Sequence, residues 1–177
     1  MNTALLLQPW QIFIVYNLVG FYYKGTNERR FKEAFIFIPR KNGKTTFIAA
    51  LAWGLAILER KSGATIYIVA ASQKQACQSF DFILHSLRVK GMIEDFRVLN
   101  NNAEHSISYQ FLDDNGTPCG SIHIEALASN PDAQDSFNCN VVIADELHAY
   151  KNANQYNILK DATKAYTNKL VIGITTA

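Results

Sequence analysis

AFIFIPRKNGKTTFIAALAWGLAILER, residues 34–60, is the stretch from which the rest of the chain is read. A short apolar run (34–38) passes through a polar turn (39–43) into a long apolar helical pattern opened by Lys44, Thr45 and Thr46. The order strand, turn, helix aims several unpaired backbone N–H groups and the positive helix end at one point, which is an anion site. Gly43 lets the backbone approach the anion, Lys44 adds a mobile positive charge, and Thr45 places a hydroxyl where a phosphate-bound magnesium would sit. The expectation is a nucleoside triphosphate site. A full phosphate-loop motif has Gly where Ile38 stands, so only the GKT half matches, and a surface turn bearing a lysine is the plain alternative.

The chain has 177 residues, 49% of them apolar and 18% charged, which is enough for one sizeable core and a single globular domain. Its 17 basic and 15 acidic side chains leave a net charge of +2, which excludes the basic stripe of a protein that holds nucleic acid unaided. Cys77, Cys119 and Cys139 are odd in number and lack metal-type spacing, so they are expected as core fillers in a reducing compartment. The first residues lack the pattern of a secretory signal. The longest apolar run, 47–58, is too short for a bilayer crossing, which takes about 20 residues. No membrane association is expected.

Around this stretch the elements alternate. Pro9 opens a helix whose apolar residues Trp10, Phe13, Ile14, Leu18 and Phe21 recur at helical spacing, with Gln11 just inside it. Residues 23–30 read as a turn into a central strand. TIYIVAA (65–71) predicts a strand buried on both faces. Ser72 and Gln75 predict a capping box for a helix with Ala76, Phe80, Ile83, Leu84 and Leu87 inward. Ile107, Tyr109 and Phe111, then Ile122, Ile124 and Ala126, alternate with polar residues around an Asn-Gly turn, predicting an antiparallel hairpin added to the sheet. The fold class is α/β, a mainly parallel P-loop NTPase sheet of the RecA/ASCE type with helices on both faces.

A second motif, NVVIADELHAY (140–150), is an apolar strand ending in Asp145 and Glu146. Adjacent acids at a buried strand end are costly without a positive partner. In a phosphate-loop enzyme that partner is magnesium on the nucleotide. Asp145 is then expected to orient the metal, and Glu146, pointing the other way off the strand, to polarise the attacking water; a salt-bridged strand end is the alternative. LVIGITTA (170–177) predicts a further core strand, with Thr175 and Thr176 either sensing the γ phosphate or reflecting ordinary β propensity.

Together these motifs resemble the N-terminal packaging ATPase of the large terminase subunit of tailed bacteriophages. The resemblance rests on LQPWQ (7–11), PRKNGKT (39–45), ASQKQA (71–76), VVIADELHAY (141–150) and TTA (175–177), in that order, and spans essentially the whole chain. It implies that Gln11 recognises adenine and that Arg40, Lys41, Asn42, Gly43, Lys44, Thr45 and Thr46 hold the phosphates of ATP, with Arg40 also acting in catalysis. It implies Mg2+ held by Thr45 and Asp145, Glu146 as the catalytic carboxylate, and Thr175, Thr176 and Ala177 as the motif coupling hydrolysis to DNA movement. The implied partners are double-stranded viral DNA, the portal protein, the small terminase subunit and further copies in a ring, usually a pentamer, in the bacterial host cytoplasm.

Two departures accompany the resemblance. Residues 129–140 carry no Arg or Lys to reach a neighbour's site as a trans finger; Arg97 and Lys151 are alternatives, and neither is assigned that role. The sequence is expected to be the ATPase domain over 1–177, truncated C-terminally and without a nuclease, since only Asp161 follows Glu146 as a further carboxylate. Two rival readings stand beside it: a DExH-type helicase lobe, because DELH also fits that pattern, and an incomplete nucleotide-binding fragment without activity.

Overall fold

Residues 5–129 and 137–176 are described by the computed structural model. Helices α1 (Pro9–Gly20), α2 (Lys44–Glu59), α3 (Gln73–Val89) and α4 (Ala153–Asp161) accompany strands β1 (Glu33–Ile38), β2 (Ala64–Ala70), β3 (Arg97–Asn100), β4 (His105–Leu112), β5 (Pro118–Ala128), β6 (Val141–Asp145) and β7 (Leu170–Thr176). They build one seven-stranded sheet in the order β1-β7-β6-β2-β5-β4-β3. The neighbours from β1 to β5 pair in parallel, and β4 and β3 extend the sheet antiparallel. The expected mainly parallel sheet with an added hairpin is present.

Period-two alternation distributes the side chains between two layers. Ile36, Ile38, Ile66, Ile68, Ile143, Ile172 and Ile174 pack in one core with α2 and α3, whereas Val69, Val142 and Ala144 pack on the other face with Leu159 and Ala162. Helix α2 lies deepest: Phe47, Ile48, Leu51, Ala52, Leu55 and Ala56 are buried. Each large apolar side chain so buried contributes roughly 1.5–3 kcal/mol, which anchors the N-terminal turn of α2 against the sheet.

Several expectations are corrected. Residues 23–30 lead into an edge strand, not a central one: among the described residues β1 has only β7 beside it, because β7 inserts between β1 and β6. Phe35 and Phe37 consequently remain 59% and 72% exposed. Cys119 is exposed and Cys77 half-buried, so only Cys139 is a core filler. The Ser72 hydroxyl caps α3 by accepting from the Gln75 N–H at 3.4 Å, but Gln75 Oε1 takes the Ser72 hydroxyl at 3.1 Å instead of the backbone N–H a capping box uses.

Three features were absent from the sequence reading: β3, α4, and a buried ion pair. The Arg29 guanidinium, fully buried, donates to Glu59 Oε1 at 2.5 Å and to the Leu18 carbonyl at 2.9 Å, while the Arg29 N–H donates to Asn168 Oδ1 at 2.8 Å. One side chain thereby ties the last turn of α1 to the last turn of α2.

Candidate active site

Between β1 and α2 the backbone folds back on itself. Lys41 takes φ +66° and Gly43 φ +71°, and the Asn42 amide donates to the Pro39 and Arg40 carbonyls at 3.0 and 3.3 Å. Glycine is required at 43 because this left-handed residue is the N-cap of α2, and no side chain caps that end. The first N–H groups of a buried helix therefore point outward without acceptors, as the anion-site reading requires.

The tip of β6 arrives at the same place. Lys44 Nζ lies 2.9 Å from Asp145 Oδ1 and also contacts Glu146 Oε1. Strand β6 ends at Asp145, and Glu146 leaves it with φ +52°, which breaks the strand alternation. The two carboxylates thus converge on one ammonium, and the expectation that Glu146 points the other way is corrected. Lys41 and Glu146 are the non-glycine residues with positive φ among those described, and both stand at this site. Strain of this kind persists where surrounding structure fixes it, commonly at functional sites.

The electrostatics separate the two acids. Burial pushes the Asp145 carboxyl up, against the neighbouring Lys44 ammonium, and its ordinary value is exceeded. Burial also acts to raise Glu146, but Lys44, His148 and the Thr176 hydroxyl outweigh it, so Glu146 stays below its ordinary value. Glu146 is held ionised while Asp145 depends on a cation.

A cavity of about 590 Å³ opens here, lined by Arg40, Lys41, Gly43, Lys44, Thr45, Thr46, Glu146, His148 and Thr176. Lys44 is part of this lining, and Asp145, its ion-pair partner, is not. The Thr175 hydroxyl lies 2.7 Å from His148 Nδ1, and Thr176 donates to Glu146 Oε2 at 3.3 Å, so both strand-end threonines reach the acidic turn. His148 was not among the expected site residues. The turn that brings it there, Leu147–Ala149, exists only because the strand stops at Asp145.

Gln11 stands apart from this lining. It is buried, and its Oε1 accepts the Gln8 N–H at 2.8 Å, capping α1. Helix α1 nonetheless flanks the loop: Trp10 packs edge-on to Phe47 at 5.3 Å, and an apolar cavity of about 440 Å³ joins Trp10, Phe13 and Ile14 to Pro39 and Asn42. Arg97 lies on β3, at the opposite edge of the sheet from β1. Ala177 and residues 130–136 fall outside the described residues.

Among the described residues no group of three or more His, Cys, Asp or Glu side chains is placed to hold a metal. A magnesium here would need phosphate oxygens in addition to Asp145 and Thr45, which is how that ion is ordinarily held at nucleotide sites. The donor set fits. Lys44 Nζ, buried and ion-paired but without a well-aligned hydrogen bond, is positioned to exchange one anionic partner for another. No helix among the described residues is long and apolar enough to cross a membrane.

Residues 9–177 match the family model described as terminase large subunit, ATPase domain. The fold is similar to the large terminase of bacteriophage HK97, with a TM-score of 0.72, 20% identity, and coverage of 99% of this chain and 34% of that one. It is also similar to the large terminase ATPase domain of Thermus phage P74-26, with a TM-score of 0.63, 12% identity, and coverage of 90% of this chain and 67% of that one. A third likeness is the large terminase of a thermophilic bacteriophage in complex with ADP, with a TM-score of 0.65, 10% identity, and coverage of 93% of this chain and 38% of that one. The chain therefore spans about a third of the length of the HK97 protein. Among curated proteins none matches it.

Proposed function

The chain belongs to the terminase large-subunit ATPase family, and from that premise we propose that it binds ATP with Mg2+ and hydrolyses it to drive double-stranded viral DNA into a procapsid. The observation that carries the reading is the Lys44 ammonium held between Asp145 and Glu146 at the mouth of the phosphate loop. Two turns far apart in sequence meet there, one cationic and one acidic.

In this reading the triphosphate draws Lys44 away from the carboxylates onto phosphate oxygens. Thr45 and Asp145 would hold Mg2+, which neutralises charge on the phosphates. Glu146, kept ionised, orients and deprotonates the attacking water. Arg40, Lys41, Asn42, Gly43 and Thr46 surround the phosphates, and Arg40, exposed in the loop, is free to reach the transferring group. The apolar cavity beside Trp10 and Pro39 suits the base, and Gln11 reads it if the cap at Gln8 opens. The relative from the thermophilic phage is a protein whose structure holds ADP, which supports a nucleotide at this site.

Thr175, Thr176 and Ala177 would transmit the state of the site to DNA. The portal protein, the small terminase subunit and a ring of further copies complete the working motor in the host cytoplasm.

The test is Glu146→Gln. Mg-ATP binding by calorimetry should be unchanged, while phosphate release falls about 10²–10⁴-fold. Hydrolysis by the Gln variant at the wild-type rate would remove Glu146 from the chemistry.

A further inference from the structure

Glu146 and the turn that follows it are fastened to β7 at three places, Gly173, Thr175 and Thr176. Leu147 lies over Gly173, where an added Cβ would collide with Leu147 Cδ1. His148 Nδ1 lies 2.7 Å from Thr175 Oγ1 and 3.2 Å from Glu146 Oε2. Thr176 donates to that same Glu146 oxygen at 3.3 Å. Side chains 147 and 148 therefore both engage β7, one by close apolar contact and one by hydrogen bonding.

We propose that His148 is a positioning residue for Glu146: its Nδ1 is hydrogen-bonded to the Thr175 hydroxyl and lies 3.2 Å from the Glu146 carboxylate, so that the carboxylate's place in the cavity depends on where the tip of β7 stands. The proposal rests on the reading of Glu146 as the catalytic carboxylate. The charge of Glu146 selects the tautomer. An ionised carboxylate beside an imidazole lone pair is repelled, whereas an Nδ1–H donated to Thr175 Oγ1 turns the positive side of the N–H dipole toward the neighbouring Glu146 Oε2; Nε2 then faces solvent as the acceptor, which the half-exposed ring allows.

The contacts also explain why the carboxylate needs such a brace. Glu146 sits outside the sheet in a left-handed conformation, so no ladder hydrogen bond fixes the backbone that carries its side chain. Lys44 draws one carboxylate oxygen, Oε1, and is expected to leave it when phosphate binds. The other oxygen, Oε2, accepts from Thr176 and has His148 Nδ1 beside it at 3.2 Å, and these neighbours remain when Lys44 departs. A shift of the β7 tip would consequently be felt at the carboxylate through His148 and Thr176.

The experiment compares His148→Ala, His148→Asn, His148→Gln and Thr175→Val. In His148→Ala, Mg-ATP affinity should stay within about twofold of wild type while the single-turnover hydrolysis rate falls about tenfold, the scale expected for a misplaced reacting group. His148→Asn places an amide N–H where Nδ1–H stands and should recover most of the rate. His148→Gln reaches past that position and should behave like Ala. Thr175→Val should lower the rate as His148→Ala does, and the double variant should be no slower than either single one. A wild-type rate in His148→Ala, rescue by Gln equal to that by Asn, or additive losses would overturn the proposal.

A readout without nucleotide separates this from the functional reading. In the His148 ring, the Nδ1 nitrogen resonance should move in Thr175→Val while Nε2 stays in place. An unchanged Nδ1 resonance would overturn the link even if the wild-type protein hydrolyses ATP. A resonance that moves in Thr175→Val, with a wild-type protein that fails to turn over ATP, would uphold the contact and condemn the role given to Glu146.

Discussion

Lys44 Nζ stands 2.9 Å from Asp145 Oδ1, and the lysine lines the cavity while the aspartate, buried, does not. The pair joins the start of α2 to the end of β6. It makes the lysine, the proposed phosphate ligand, the counter-charge of a desolvated acid.

Lys44→Ala should therefore destabilise the fold as well as the site. Breaking a buried pair by removing one partner costs about 3–5 kcal/mol. The sign with pH follows from Asp145, whose folded value is already raised above its ordinary 3.8 by burial, against the pull of Lys44. The folded state then binds more protons than the unfolded state from 3.8 up to the folded value, so stability falls as pH rises through that window. Losing the ammonium widens the window upward. Urea unfolding should show the deficit of Lys44→Ala shrinking toward pH 4, whereas a deficit independent of pH would contradict the pairing.

The Arg29 and Glu59 pair makes a parallel case away from the site. Glu59→Gln should cost about 3 kcal/mol, because the fully buried guanidinium keeps its charge without a carboxylate. Arg29→Met with Glu59→Leu should lose less than Glu59→Gln alone, since an apolar replacement avoids both desolvation costs. Thermal unfolding of the three proteins checks the order.

Cysteine chemistry distinguishes the three thiols. Cys119 is exposed, Cys77 is half-buried with burial pushing its thiol up, and burial raises Cys139 to about 12. Maleimide at neutral pH should modify Cys119 first, Cys77 more slowly, and Cys139 only after denaturant is added. Early labelling of Cys139, followed by mass spectrometry of the peptides, would contradict the packing of β6 against α4.

How much of this was legible in the sequence depended on whether the signal was local. The strand-turn-helix at Gly43 and Lys44 and the long alternations of β4 and β5 carry their own periodicity, and they fold as read. Strand β3 has only four residues, too few for alternation to register, and it exists because β4 offers it an edge. Helix α4 is short, though Asn152 accepting the Gln155 N–H repeats the Ser72 and Gln75 spacing and was a usable signal. His148 could be seen only after Glu146 turned out of its strand, because its partner Thr175 belongs to β7. The misplacement of β1 as a central strand has the same origin: strand order is set by which edge β7 enters, and no local pattern records that. Arg29 reads as a loop charge until Glu59 is brought beneath it.

Whether the triphosphate sits where the phosphate loop and the acidic turn meet is tested most directly by calorimetric titration of Mg-ATP into the wild-type protein and into Lys44→Ala, with folding of both confirmed beforehand. Saturable binding to the wild type is expected, with a loss of at least about tenfold in affinity in the variant, the cost of one charge-assisted contact. Equal affinity for the two proteins would mean that the triphosphate binds elsewhere or not through this lysine, and the site described above would be wrong.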